Sequence, residues 1–154
     1  LRRMLGLWVR RAHGWGAYQG MMLSAQYNLK DGIIPAEKVL RDRVNSAQIR
    51  QFAILIVAKL GNESHLPLLE SLLTDPTLCA MQQVKDVKYI TQIRDVALAA
   101  LIHLAKGNHQ DFGFDRIKRH DEHLLTTDSL GFASEEERSL ALEKWRKFRK
   151  KQMK

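Results

Sequence analysis

The chain has 154 residues, 45% of them apolar, with a formal net charge of +8 and one cysteine. This length and apolar share fit a single domain with a buried core and exclude disorder throughout. The longest apolar run, "FAILIVA" at 52–58, falls far short of the roughly 20 residues that span a bilayer, so no transmembrane segment is expected.

The charge is concentrated at the ends. Residues 144–154 hold seven Lys and Arg and no acid, and residues 1–13 hold four Arg and no acid, while the 14 basic residues between them face 17 acidic ones. A nucleic-acid reader would spread its positive charge over a folded face that follows phosphates. Residue 1 is Leu rather than Met, so the chain is expected to be a piece of a longer polypeptide, and its localisation stays open.

In chain order, "LRRMLGLWVRR" (1–11) reads as a short helix and "AYQGMMLSAQYNLKDG" (17–32) as its longer partner. The edge near Leu5, Leu7 and Trp8 is expected to be covered by upstream chain or a second copy, because exposed apolar patches mark contacts. Next come a short helix, "IIPAEKVLRDR" (33–43), and a long one, "SAQIRQFAILIVAKLG" (46–61). In the long helix Ile49, Phe52, Ala53, Ile56, Val57 and Leu60 recur at steps of three and four residues, the period of one buried face. Ser46 is its expected N-cap, and Gly61 the left-handed stop.

The design then repeats. "SHLPLLESLLTD" (64–75) is a short helix with Pro67 in its first turn, as Pro35 is in the earlier one. "TQIRDVALAALIHLAKG" (91–107) is a long helix with Thr91 as cap, Ile93, Val96, Ala97, Ala100, Leu101 and Leu104 as the stripe, and Gly107 as the stop. Gln48, Ile49, Arg50, Ala53 and Leu60 return 44 residues later as Gln92, Ile93, Arg94, Ala97 and Leu104. One helix pair cannot bury its apolar face alone, so a second copy of that face is expected to stack on it. Arg50 and Arg94 suggest a ladder with Asp42, Asp75 and Asp95.

A two-helix unit of this period resembles HEAT repeats. The resemblance rests on Ile49-Arg50 and Ile93-Arg94 at the helix heads, the Gly61-Asn62 turn, and the Leu-rich helix ending in Leu73-Thr74-Asp75. It covers about residues 16–107, and the stretch Gln92–Phe148 resembles C-terminal portions of bacterial HEAT-repeat proteins. The resemblance implies an all-α, two-layer solenoid fragment of about two and a half helix pairs, a fold that scaffolds, adaptors and a few enzymes share.

Two segments depart from the repeat. Residues 78–92 alternate after a Lys85-Asp86 turn and suggest a short β-hairpin able to contact a partner; the alternative is an insertion packed on its own helices. After the repeats (1–107), residues 108–133 lack periodicity but carry Phe112, Phe114, Ile117, Leu124, Leu125, Leu130 and Phe132, as an extended arm lying along the helices would. Residues 134–154 form the last helix, opened by a Ser134/Glu137 capping box, with Ala141, Leu142, Trp145 and Phe148 as its packing face. Arm and helix are expected to cap the solenoid.

Candidates for chemistry are few. His109, Asp111, His120, Asp121, Glu122 and His123, with His103 nearby, are ligand types for zinc or iron, but "HDEH" is not the HExxH spacing that sets two imidazoles on one helical face. These are read as solvated or capping residues. "DFGF" (111–114) matches a kinase motif without the strands that motif needs, so Phe112 and Phe114 are read as anchors. Cys79 is read as a structural thiol, and Gly14 and Gly16 are too few for a phosphate loop. Bases can stack on Trp8, Trp15 and Trp145, yet Trp15 and Trp145 are read as packing and the basic tail as a solvated helix end.

The reading that follows is a non-catalytic protein-interaction or scaffold module of a larger polypeptide, its partner protein held on a concave side. Two alternatives accompany it. One is a nucleic-acid-binding domain like the HEAT-like DNA glycosylases, which use a basic concave face; the other is a metal-dependent hydrolase built on the His-rich arm.

Overall fold

A computed structural model describes residues 1–154. The chain is mostly helical, with seven α-helices and two small antiparallel β-pairs. Helices α1 (Arg2–Arg11), α3 (Ile33–Arg41) and α5 (Leu66–Glu70) are short, and α2 (Trp15–Tyr27), α4 (Ala47–Leu60) and α6 (Ile93–Leu104) are longer. A hairpin of β1 (Leu78–Val84) and β2 (Val87–Gln92) precedes α6, and α7 (Glu135–Gln152) ends the fold. Helix α2 packs on α4 and α4 on α6, while α1, α3 and α5 pack against α2, α4 and α6 respectively. No helix is long and apolar enough to cross a membrane.

The helix boundaries follow local chemistry, with three corrections to the sequence reading. Ser46 Oγ accepts from the Ile49 amide at 3.4 Å and opens α4 as expected. Helix α6 is opened by Gln92 rather than Thr91, with the Asp95 carboxylate accepting from the Gln92 amide at 2.8 Å. The reason is that β2 runs straight into α6. Thr91 is paired with Ala80 in the ladder, and its hydroxyl donates to the Thr127 carbonyl at 3.0 Å.

The helix ends differ as well. Gly61 is extended (φ −85°, ψ −166°), and what it supplies is space: a Cβ there would sit 2.4 Å from the Val57 carbonyl oxygen. At the end of α6 the left-handed residue is Lys106 (φ 58°), one position before the expected Gly107. Gly107 donates its amide to the Ile102 carbonyl at 2.8 Å, which closes a Schellman turn.

Ile56 and Leu101 are both buried in one core cluster that also takes in Phe112, Leu130 and Trp145. The apolar stripes on α4 and α6 are wider than the spacing implied, since Ile54, Leu55 and Ala58 on α4 and Leu98, Ala99 and Ile102 on α6 are buried too. The arm supplies the reason. Its β-pair, β3 (Arg119–His120) with β4 (Leu124–Leu125), lies against α4, and its 3-10 turns at His109–Phe112 and Thr127–Leu130 lie against α6. Both long helices are therefore enclosed, each buried Leu or Ile contributing about 1.5 to 3 kcal/mol. Lys59 fastens this closure, donating through Nζ to the carbonyls of Ala25 at 2.9 Å and Glu122 at 2.7 Å. The arm is thus less extended than expected, holding a second β-pair that the sequence reading did not foresee.

Helix α7 buries Ala141, Leu142 and Trp145, with Phe148 half-buried. Ser134 Oγ accepts from the Glu137 amide at 3.2 Å, but the Glu137 carboxylate reaches back to the Ala133 amide rather than to that of Ser134. Of the expected Arg ladder only the Arg50 rung is formed. Arg50 pairs with Asp75, whereas Arg94 pairs with Glu135 at 2.7 Å, Asp95 is taken by Arg138, and Asp42 accepts from the Val44 amide. The head of α7 brings Glu135 and Arg138 to α6 and redirects both charges.

Candidate interaction surface

The His-rich arm does not assemble into a ligand set. His109 turns inward and donates through Nε2 to the Ala99 carbonyl at 2.8 Å. His120 and His123 stack ring on ring at 4.5 Å, and His123 meets Phe52 edge-on at 4.9 Å. Nδ1 of His120 accepts from the amides of Glu122 and His123, at 3.2 and 3.1 Å. No three His, Cys, Asp or Glu side chains gather where they could hold a metal ion. Burial lowers the pKa of His103, His109 and His123, and neighbouring cationic or imidazole groups lower each further.

In "DFGF", Phe112 and Phe114 are buried and Gly113 takes φ 93° at the turn between them. Burial pushes the Cys79 thiol up to about 12, with the Asp95 carboxylate adding to the effect, which leaves it a poor nucleophile. The tryptophans divide. Trp145 is buried, but Trp15, expected to pack, is 69% exposed. The side of α2 that meets α1 is made of small residues: a Cβ on Gly20 would lie 3.5 Å from Val9 Cγ1. That close approach leaves Trp15 outside the contact, touching only Tyr18 among aromatic rings, at 5.6 Å.

Two surfaces carry exposed apolar side chains in groups. The first is the β1–β2 hairpin, whose base is held firmly. Arg116 lies over the Tyr89 ring at 3.6 Å and bonds to Gln82, Gln82 donates to Asp128 at 3.4 Å, and Ile90 exchanges both backbone hydrogen bonds with Phe132 at 3.1 Å. Beyond this base the strands stand out. Met81 faces Ile90 across the ladder and Val84 faces Val87 beside the Lys85-Asp86 turn. Val84 and Val87 share one face at the tip, each about 40% exposed, while Leu78 and Met81 lie on the opposite face nearer the base, 49 and 55% exposed. The hairpin was expected from alternation, but its anchoring through Arg116 was not, because nothing in the local spacing links residue 116 to residues 82 and 89.

The second surface is the outer side of α1 and α2. Gly6 and Val9 form the buried side of α1, while Met4, Leu7 and Trp8 face outward. Between the two helices runs a groove of about 500 Å³ lined by Trp8, Trp15, Tyr18, Met22 and Leu23.

Comparison with family models, curated proteins and solved structures finds no match to this chain.

Proposed function

We propose that the chain is a non-catalytic interaction or scaffold module that holds a protein partner through the β1–β2 hairpin. The observation that carries this reading is the hairpin tip: Val84 and Val87, paired on one face beside the Lys85-Asp86 turn, are each about 40% exposed on strands whose base is fixed by Arg116, Gln82 and Ile90. Grouped exposed apolar side chains mark contact sites, and a rigid base lowers the ordering cost of binding. Covering these half-exposed side chains is worth about 1 kcal/mol apiece.

The architecture proposed is HEAT-like. Supporting it are the repeated short and long helices, the order of contact from α2 to α4 to α6, and the equivalent positions of Arg50 and Arg94. The arm covers the long-helix side, so the partner is assigned to the projecting hairpin rather than to that side.

The test is site-specific photo-crosslinking in the cells that make the protein, with the cross-linker at Val84 or at Leu140, an apolar position on α7 that is at least as exposed. The expected result is one discrete protein adduct from position 84 and none of that mass from position 140. Matching adducts from both positions, or none from 84, would remove the assignment.

A further inference from the structure

The outer side of α1 is built the wrong way round for a helix that meets only water. Leu1, Met4, Leu7 and Trp8 follow one another at steps that keep them on one side of the helix, opposite the buried Gly6 and Val9. Met4 is 73% and Leu7 53% exposed, and Trp15 and Met22 extend the apolar surface across the groove onto α2. Arg11 lies seven residues beyond Met4, on the same side, and Arg3 lies one turn before Leu7 at its edge.

The charge around this surface is mostly of one sign. Residues 1–30 contain Arg2, Arg3, Arg10, Arg11 and Lys30 and no acid. The nearest carboxylates are Asp31, which Arg10 neutralises, and Glu122 at the groove's rim. A second copy of the chain is a poor occupant, since it would set four more arginines against the four of α1. The occupant must be apolar and anionic at once. It must also accept a guanidinium among protruding apolar side chains on a convex helix, which a packed protein interface does only at a desolvation cost. The boundary layer of an anionic bilayer meets every condition: acyl chains take Met4 and Leu7, the headgroup region suits Trp8 and Trp15, and phosphates take the arginines.

We infer that the outer side of α1 and α2 is a peripheral docking site for an anionic lipid surface, on which α1 lies flat. It shares no residue with the hairpin, so the two assignments stand or fall separately.

The test is flotation of the purified chain with phosphatidylcholine vesicles with and without phosphatidylserine, read alongside quenching of tryptophan fluorescence by brominated lipid. Binding is expected only with phosphatidylserine, with quenching that disappears in Trp8→Ser/Trp15→Ser although the buried Trp145 remains. Arg3→Gln/Arg11→Gln, both at exposed positions, should weaken binding roughly 30-fold, at about one arginine's worth of surface attraction each. The control Lys150→Gln/Lys151→Gln on α7 should bind as the parent does, as should Val84→Asp/Val87→Asp in the hairpin. Circular dichroism establishes that each variant is folded. Failure to bind, equal binding to neutral vesicles, loss of binding in the α7 control alone, or dimerisation through this surface in sedimentation would each overturn the proposal.

Discussion

Arg138 of α7 closes on Asp95 of α6, donating through Nε at 2.8 Å and Nη2 at 3.1 Å to the two oxygens of one carboxylate. Both side chains are almost fully buried, and the same guanidinium also bonds to Glu135 and to the Ile90 carbonyl, joining the last helix, the head of α6 and the hairpin. Burial opposes the charge on Arg138, but its bonds to Asp95 and Glu135 outweigh that and raise its pKa. Removing one partner strands the other charge in the interior. Asp95→Ala and Arg138→Ala should each lose about 3 to 5 kcal/mol in chemical denaturation. The double variant should lose less than the sum, and additive losses would show that the pair does not act as a unit.

Leu101 and Lys151 make a contrast within the helices. Leu101 has no exposed surface, whereas Lys151 lies in the exposed last turn of α7. Leu101→Asp should leave the chain unfolded, Leu101→Ala should cost about 2 to 5 kcal/mol, and Lys151→Ala should leave the melting temperature unchanged. Equal shifts from Leu101→Ala and Lys151→Ala would contradict the assigned core.

The histidines set a pH dependence whose sign is fixed. His103, His109 and His123 have pKa values lowered by burial, so the unfolded chain binds more protons than the folded one. Stability from these groups is whole above the ordinary histidine value of about 6.5 and is lost as the pH falls below it. Urea midpoints should drop between about pH 7 and about pH 5, and His109→Gln should flatten part of that drop. An unchanged slope in the variant would remove His109 from the account.

Cys79 should be slow to alkylate. With its pKa near 12 against an ordinary value of 9.0, its thiolate fraction near neutrality is roughly a thousandfold lower than in the unfolded chain. Iodoacetamide labelling followed by mass spectrometry should therefore rise sharply only when urea unfolds the protein. Fast labelling of the folded chain would contradict the half-buried, desolvated setting of the thiol.

The elements that depend on neighbours in sequence were legible from it. The stripe of α4 and the Ser46 cap are written in consecutive residues, and the alternation around Lys85-Asp86 marks the hairpin. What escaped depends on chain that arrives from far away. The caps and stops of α6 shifted because β2 occupies Thr91 and because Lys106 takes the left-handed position beside Gly107. The Arg94 and Asp95 partners changed because α7, some 40 residues later, delivers Glu135 and Arg138. Trp15, expected to pack as Trp145 does, stays outside because the small residues Ala17 and Gly20 occupy the contact with α1. The hairpin's exposed apolar tip was visible only as composition, since spacing alone does not say which side Arg116 will anchor.

The central functional claim is that the hairpin tip binds a partner and contributes little to the fold. Its most direct test measures, on Val84→Asp/Val87→Asp and the parent side by side, the melting temperature and the yield of the partner adduct from a photo-crosslinker at Gln83. The claim predicts an unchanged melting temperature and a lost adduct. A variant that melts early, or one that keeps the adduct, would contradict it.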